Sequence, residues 1–199
     1  MPKKFSEKQK SAISGKLISI GIEMFSRFGF SKTSIDEIIK QVGISKGSFY
    51  SFYDSKESYF MDVLEEIEAD TRAQMNSILE NKDLTPAQRF KEYMSANIDS
   101  MEKNPMLSNM HYQDIENLIL ILPSERIDRH MEKDIKFTIE LIESLRREAG
   151  QKSKVSYEAI SGMFQFIFYI FLHRNEIGVS QYRAGMQVYI DMMSNYLFG

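Results

Sequence analysis

The sequence contains no cysteine and no tryptophan, and among its 199 residues it has only ten glycines and four prolines. Without cysteine the chain can form neither disulfide bonds nor thiolate metal sites, and it has no cysteine nucleophile. So few turn residues are atypical of an all-β protein, in which turns recur every few residues. The common phosphate-binding, serine-hydrolase and zinc-protease motifs are also missing. We therefore expect a helical protein that is not an enzyme.

Long apolar segments are missing as well. The basic start, MPKKFSEKQK, is not followed by an apolar segment, so we expect no signal peptide and a cytoplasmic location. The longest largely apolar segment, MFQFIFYIFL at Met163–Leu172, has ten residues, of which only Gln165 is polar. A bilayer-spanning helix needs about 20. We therefore expect no membrane association.

The charges are unevenly distributed behind a net charge of -3. Residues 1–56 contain ten Lys or Arg and five Asp or Glu, whereas residues 57–199 contain fifteen and twenty-three. A basic segment attached to an acidic body is expected when one end of a protein binds a polyanion such as nucleic acid. Basic N-terminal segments are also common without such a role. The charge pattern alone leaves both interpretations open.

Apolar residues recur at helical spacing along the whole chain. The first helix is predicted from about Glu7 to Phe28 and ends at Gly29. Further helical segments are separated by glycine, proline or capping residues, and no segment has the alternation of a strand. The sequence thus predicts an all-α fold of about nine helices. The change in charge sign predicts a three-helix head at residues 1–55 and a larger helical body at residues 56–199, joined by a continuous helix.

Residues 34–53, SIDEIIKQVGISKGSFYSFY, form a candidate helix-turn-helix. Thr33 or Ser34 can cap a first short helix, and Gly43 can adopt the left-handed conformation of a tight turn. Ser45 can cap a second helix that ends near Tyr53. The residues that the second helix would expose are Lys46, Gly47, Ser48, Tyr50, Ser51 and Tyr53. These residue types suit contacts with phosphates and base edges, although an ordinary helical hairpin has the same pattern.

Residues 21–59 resemble the N-terminal segment of TetR-family transcriptional regulators. The elements that carry this resemblance are Phe25, Gly29-Phe30, Thr33-Ser34, Gly43-Ile44-Ser45-Lys46-Gly47, Tyr50 and Ser55-Lys56-Glu57. Four positions depart from the usual pattern. Ile39 and Val42 replace alanine, Phe52 replaces a frequent histidine, and Tyr53 replaces a frequent phenylalanine. The larger Ile39 and Val42 predict a slightly greater separation between the two helices.

The resemblance implies a homodimeric regulator that binds double-stranded DNA, most simply a repressor that a small, largely apolar effector releases from a palindromic operator. A shift of the fourth helix would then change the separation of the two recognition helices. The resemblance and the helix pattern together predict DNA contacts at Thr33, Ser34, Ser45, Lys46, Gly47, Ser48, Tyr50, Tyr53 and Lys56.

The C-terminal helices are the candidate dimer interface. A helix that is apolar on all sides, such as Met163–Leu172, must be covered on more than one side. The resemblance implies that the last two helices of each subunit form the interface, and an entirely intramolecular core is the alternative. The candidate interface residues are Phe168, Phe171, Tyr182, Met186, Tyr189 and Met193.

The body also contains a candidate effector cavity rich in Met and aromatic residues, which a simple core would show equally. Its candidate lining residues are Met101, Met110, His111, Tyr112, Phe137, Phe164 and Phe168. Two pairs, His111 with Asp114 and His173 with Glu176, have spacings that could bind a metal. Ion pairs in solvent or polar groups of a pocket explain them more simply, so we expect no metal or cofactor. The alternative function is a ligand- or metal-binding helical protein without operator recognition.

Overall fold

The structure, a computed structural model, describes residues 5–152 and 155–199, which form eleven helices and no strand. The helices are α1 (Glu7–Lys32), α2 (Ile35–Val42), α3 (Lys46–Phe49), α4 (Lys56–Glu80), α5 (Pro86–Lys103), α6 (Pro105–Ser108), α7 (Tyr112–Ile121), α8 (Ser124–Glu148), α9 (Tyr157–Leu172), α10 (Arg174–Ile177) and α11 (Val179–Phe198). The predicted all-α class is confirmed. The number of helices exceeds nine because α6 and α10, of four residues each, are separate helices. Apolar spacing alone predicts each of them as part of a longer neighbouring helix.

The chain folds into two compact units. The first contains the chain up to Ala73 together with Met101–Leu122, and the second contains Gln74–Ser100 and Pro123–Gly199. The boundary that the charge pattern predicts, after residue 55, therefore lies within the first unit. The reason is the first half of α4, where Tyr59 and Val63 are completely buried and belong to the same core as α1.

The core of the first unit is an aromatic cluster. The ring of Phe25 on α1 lies 5.5 Å from that of Tyr59 and 4.9 Å from that of Phe60, measured between centroids. Phe49 of α3 meets Tyr59 edge-on at 5.4 Å. Such pairs contribute about 0.5–1.5 kcal/mol each beyond the burial of their area. The cluster joins α1, α3 and α4, and so fixes the orientation of the short helix α3.

The turn between α2 and α3 forms as predicted. Gly43 ends α2 in the left-handed conformation, at φ 81° and ψ 38°, and its N–H donates to the carbonyl of Ile39. Lys16 of α1 donates a 2.8 Å hydrogen bond to the neighbouring carbonyl of Val42. Cations stabilise the C-terminus of a helix, where carbonyl groups lack partners. The end of α2 is therefore held both by its own turn and by α1.

The second unit has an apolar core with two buried arginines. Arg89 donates hydrogen bonds to the carbonyl of Leu79 at 2.8 Å and to the carboxylate of Glu148 at 2.6 Å. The hydrogen bonds from Arg89 and Lys82 lower the pKa of Glu148 to about 2. Arg146 donates to the carbonyl of Leu197 near the end of α11. None of the described helices combines the length and the apolarity needed to cross a bilayer.

Candidate nucleic-acid interface

The second helix of the helix-turn-helix, α3, is a single turn. The hydroxyl of Ser45 caps it by accepting a 3.1 Å hydrogen bond from the N–H of Ser48. At the other end the N–H of Tyr50 donates to the carbonyls of Lys46 and Ser48, and the helix ends there. The predicted extension to Tyr53 is therefore wrong. Bonds from the N–H groups of later residues to the Phe49 carbonyl continue the chain as a tight turn.

Four of the predicted DNA-contacting residues lie on the surface of this turn, namely Ser45, Lys46, Gly47 and Tyr50, and Ser48 is half-buried. The Tyr50 ring is held edge-on against Phe49, with centroids 5.4 Å apart, while about half of the side chain is exposed. A Cβ atom built at Gly47 would meet no atom of the described chain within 4 Å. The bare backbone at Gly47 is thus open to close approach from outside.

Two other predicted contact residues, Thr33 and Tyr53, face the core instead. The Thr33 hydroxyl donates a 2.7 Å hydrogen bond to the carbonyl of Gly29, where the backbone of α1 kinks. Tyr53 is 6% exposed, its ring lies 4.9 Å from that of Tyr59, and burial raises its pKa to about 12. These positions correct the prediction, because neither side chain is available to a phosphate.

Ser34 and Lys56 lie at the first turns of α2 and α4. Ser34 is half-buried at the N-cap of α2, and within the described residues its hydroxyl makes no capping hydrogen bond. The ammonium group of Lys56 lies 4.6 Å from the ring centroid of Phe30 and donates a 3.4 Å hydrogen bond to the carbonyl of Ser31. Partial burial lowers the pKa of Lys56. Both groups lie where the N-terminus of a helix favours an anion.

The sequence reasoning missed the partner of Lys46. Its ammonium group lies 3.0 Å from a carboxylate oxygen of Asp36, in the first turn of α2, and both side chains are largely exposed. This hydrogen bond raises the pKa of Lys46. The tight turn joins the end of α2 to the start of α3, so the spacing of the motif gave no signal for a pair between the starts of the two helices.

The residues predicted for an effector cavity are divided between the two units. In the first unit Met110 is buried and Met101 is half-buried, whereas His111 and Tyr112 are exposed. In the second unit Phe137, Phe164 and Phe168 are half-buried. A cleft of about 410 Å³ in the first unit lies elsewhere, between α1 and α2. The cavity thus stays a prediction.

The two candidate metal pairs have other roles in the structure. Asp114 is buried at the start of α7, where its carboxylate accepts a 3.2 Å hydrogen bond from the backbone N–H of His111. This is a helix-capping contact that uses the backbone of His111. His173 Nδ1 lies 2.9 Å from a carboxylate oxygen of Glu176 at the surface.

Most of the residues predicted for the dimer interface are buried inside the protomer. Phe171, Tyr182, Met186 and Met193 are at most 4% exposed, whereas Phe168 and Tyr189 are half-buried. This corrects the prediction for the four buried residues, because their side chains belong to the core of the second unit, whereas Phe168 and Tyr189 stay predictions. The large apolar side chains that the same two helices expose are Tyr157, Phe166, Tyr169, Val179, Val188, Met192 and Tyr196.

A family model matches part of the first unit. Residues 17–61 match the model of a family described as bacterial regulatory proteins, tetR family. Among curated proteins, the HTH-type transcriptional repressor DhaR of Mycobacterium sp. (strain GP1) is 30% identical over 86 residues, which are 43% of each chain. The chain thus spans less than half the length of this relative.

Solved structures match almost the whole chain. A TetR-family transcriptional regulator from Pectobacterium atrosepticum has a TM-score of 0.70 and 17% identity, and the match covers 97% of this chain and 96% of that one. The regulator FadR from Bacillus subtilis, solved in complex with stearoyl-CoA, has a TM-score of 0.60 and 12% identity over 93% of this chain and 97% of its own. At these identities the likeness shows the fold.

Proposed function

Since the chain belongs to the TetR family of bacterial regulatory proteins, we propose that it is a transcriptional regulator that binds double-stranded DNA through α2 and α3. The observation that carries this proposal is the exposed surface of the α3 turn. It presents Lys46, Gly47 and Tyr50 to solvent while Phe49 anchors the turn in an aromatic core. A rigid turn that exposes a cation, a bare backbone and a phenol suits the major groove of DNA.

Each exposed group has a distinct role in this proposal. Lys46 donates to a phosphate or to the O6 and N7 atoms of guanine, and Tyr50 contacts a phosphate or a thymine methyl group. Gly47 lets the backbone approach the duplex closely. Ser34 and Lys56 bind backbone phosphates beside the two helix N-termini and so position the head without reading sequence.

We also propose that the protein acts as a homodimer on a palindromic operator. The exposed apolar side chains of α9 and α11 support a two-fold interface, because soluble monomers rarely expose large contiguous apolar patches. A two-fold dimer can place two recognition helices in successive major grooves, roughly 34 Å apart.

The proposed mode of action is repression relieved by a small, largely apolar effector, in a cytoplasmic protein. DhaR is a named repressor, and the FadR structure contains stearoyl-CoA, which supports an effector with apolar character. An effector can release DNA only if it binds the DNA-incompetent state more tightly than the competent one. The candidate lining residues are those predicted from the sequence.

Selection of bound fragments from genomic DNA tests the proposal directly. The purified protein should enrich palindromic fragments and bind them about 10³-fold or more tightly than random duplex, with affinity that falls steeply as salt rises. Tyr50→Ala should weaken binding to the selected duplex by at least about tenfold. The control, Leu120→Ala, removes a large exposed side chain of α7, outside the proposed DNA and dimer interfaces, and should not. Weak binding of all duplexes alike would favour the alternative of a ligand-binding protein without operator recognition.

A further inference from the structure

The recognition turn brings a single positive charge to the duplex, and that charge is already paired. Lys46 is the one charged residue of the α3 sequence KGSF. Its ammonium group lies 3.0 Å from the Asp36 carboxylate, on side chains that are 58% and 68% exposed. The hydroxyl groups nearby are engaged within the turn, since Ser45 accepts from the Ser48 N–H and Ser51 donates to the Ser48 carbonyl at 2.6 Å.

A carboxylate in this position acts on DNA binding in two ways. It restrains the long lysine side chain in one direction. The side chain therefore loses less conformational entropy when it makes a contact in that direction. It also repels the phosphates of any duplex brought against α2 and α3, and it competes with them for the ammonium group. Non-specific complexes depend almost entirely on phosphate contacts, whereas a specific complex adds directional contacts with base edges. The carboxylate therefore weakens non-specific binding more than specific binding.

We propose that Asp36 determines specificity by restraining Lys46, so that the turn binds its operator in one register and binds other duplexes poorly. This inference rests on the proposed DNA binding. Asp36 makes no base contact in the proposal and acts through Lys46. Its neighbour Glu37 lines the cleft between α1 and α2 together with Arg27 and Lys40, so it serves as a control at almost the same place on the head.

The test compares Asp36→Asn with Glu37→Gln in the full-length protein. Each variant removes one negative charge from the first turn of α2. Binding is measured at 50–200 mM salt to a duplex that the wild type selected and to a shuffled duplex of equal length. For Asp36→Asn we expect affinity for the shuffled duplex to rise about 3- to 10-fold and its salt dependence to steepen by about one counterion. Affinity for the selected duplex should change less than about threefold, so the specificity ratio should fall. Glu37→Gln should change the affinities for both duplexes by the same factor.

Lys46→Ala completes the test. In that background Asp36→Asn should no longer alter the specificity ratio, because the restrained group is gone. If Asp36→Asn, like Glu37→Gln, changed the affinities for the selected and shuffled duplexes by the same factor, Asp36 would act only through net charge. That result would overturn the inference. A change in the ratio that persists with Lys46→Ala would overturn it too. If the wild type itself prefers no duplex, both the proposed function and this inference fail. If the wild type prefers its selected duplex but Asp36→Asn leaves the specificity ratio unchanged, only this inference fails. Acidic residues stabilise a helix N-terminus, so either substitution could destabilise α2. Urea unfolding of each variant therefore shows whether a change in DNA binding comes from a folding defect.

Discussion

The hydroxyl of Ser31, near the end of α1, donates a 2.6 Å hydrogen bond to the buried carboxylate of Asp114 in the first turn of α7. A second link joins the same parts of the first unit, because Asn109 donates a 3.2 Å hydrogen bond to the carbonyl of Ser26. These contacts attach the segment Met101–Leu122 to the end of α1, immediately before the helix-turn-helix.

Ser31→Ala should lower the free energy of unfolding by about 1.5–3 kcal/mol, because it removes a donor from a buried charged acceptor. Urea unfolding of the full chain measures this effect. Ser19→Ala is the control, since Ser19 is an exposed serine on the same helix that bonds only a local carbonyl in the described contacts. Equal effects of the two substitutions would mean that the bond to Asp114 contributes nothing particular.

Gly21→Ala should destabilise the first unit. The phenol of Tyr59 donates a 2.6 Å hydrogen bond to the carbonyl of Leu17, and a Cβ atom at Gly21 would overlap the Tyr59 hydroxyl and lie 2.6 Å from a methyl group of Val63. We expect a loss of about 1–3 kcal/mol by urea unfolding, as for other overpacked cores. Gly15→Ala on the same helix should have the opposite sign, up to about 1 kcal/mol more stable, since its Cβ would touch no described atom within 4 Å. If both substitutions changed the free energy of unfolding in the same direction, the close approach of α1 and α4 would be contradicted.

Gly47→Ala should separate DNA binding from folding. The added methyl group meets no neighbour in the described fold, and alanine favours a helix, so stability should stay equal or rise by up to about 1 kcal/mol. Affinity for the selected duplex should fall by about tenfold or more, because the methyl group occupies the surface where the backbone approaches DNA. Fluorescence anisotropy and urea unfolding measure the two quantities. Unchanged DNA affinity would remove Gly47 from the proposed interface.

High pH should destabilise the first unit through its buried tyrosines. Burial, followed by the charge of Asp62, raises the pKa of Tyr53 from 10.0 to about 12, and burial also raises the pKa of Tyr59. Above pH 10 the unfolded chain releases these protons more readily than the folded one, so stability should fall as pH rises from about 10 to 12. Urea unfolding between pH 8 and 11.5 measures the decline. In Tyr53→Phe the free energy of unfolding should decline less steeply with pH. If the decline were as steep as in the wild type, Tyr53 would not contribute to it.

Met192→Glu should dissociate the proposed dimer without unfolding the protomer. Met192 is 62% exposed on α11, so a charge there disrupts an interface but not the core. The adjacent Met193 is 1% exposed, and Met193→Glu should instead unfold the second unit. Sedimentation velocity and circular dichroism distinguish the two effects. A wild-type sedimentation coefficient for Met192→Glu would exclude this face as the interface.

Features that depend on neighbouring residues in the chain could be predicted well. The helical class, the end of α2 at Gly43 and the cap at Ser45 follow from apolar spacing and from local backbone preferences. The end of α3 could not be located, because Tyr50 to Tyr53 have helical spacing and leave the helix only where Phe49 and Tyr53 enter a shared core.

By itself, the sequence determined the all-α class, where the turn of the helix-turn-helix lies and which end of the chain is basic, since each depends on short-range patterns. Only the tertiary structure decided which faces of those helices are covered. Thr33 and Tyr53 turn inward because α1 and α4 pack over them, and Met193 is buried where Met192 is not. It also decided the partnerships of Lys46 with Asp36 and of Ser31 with Asp114, because contacts between different helices depend on how whole elements pack.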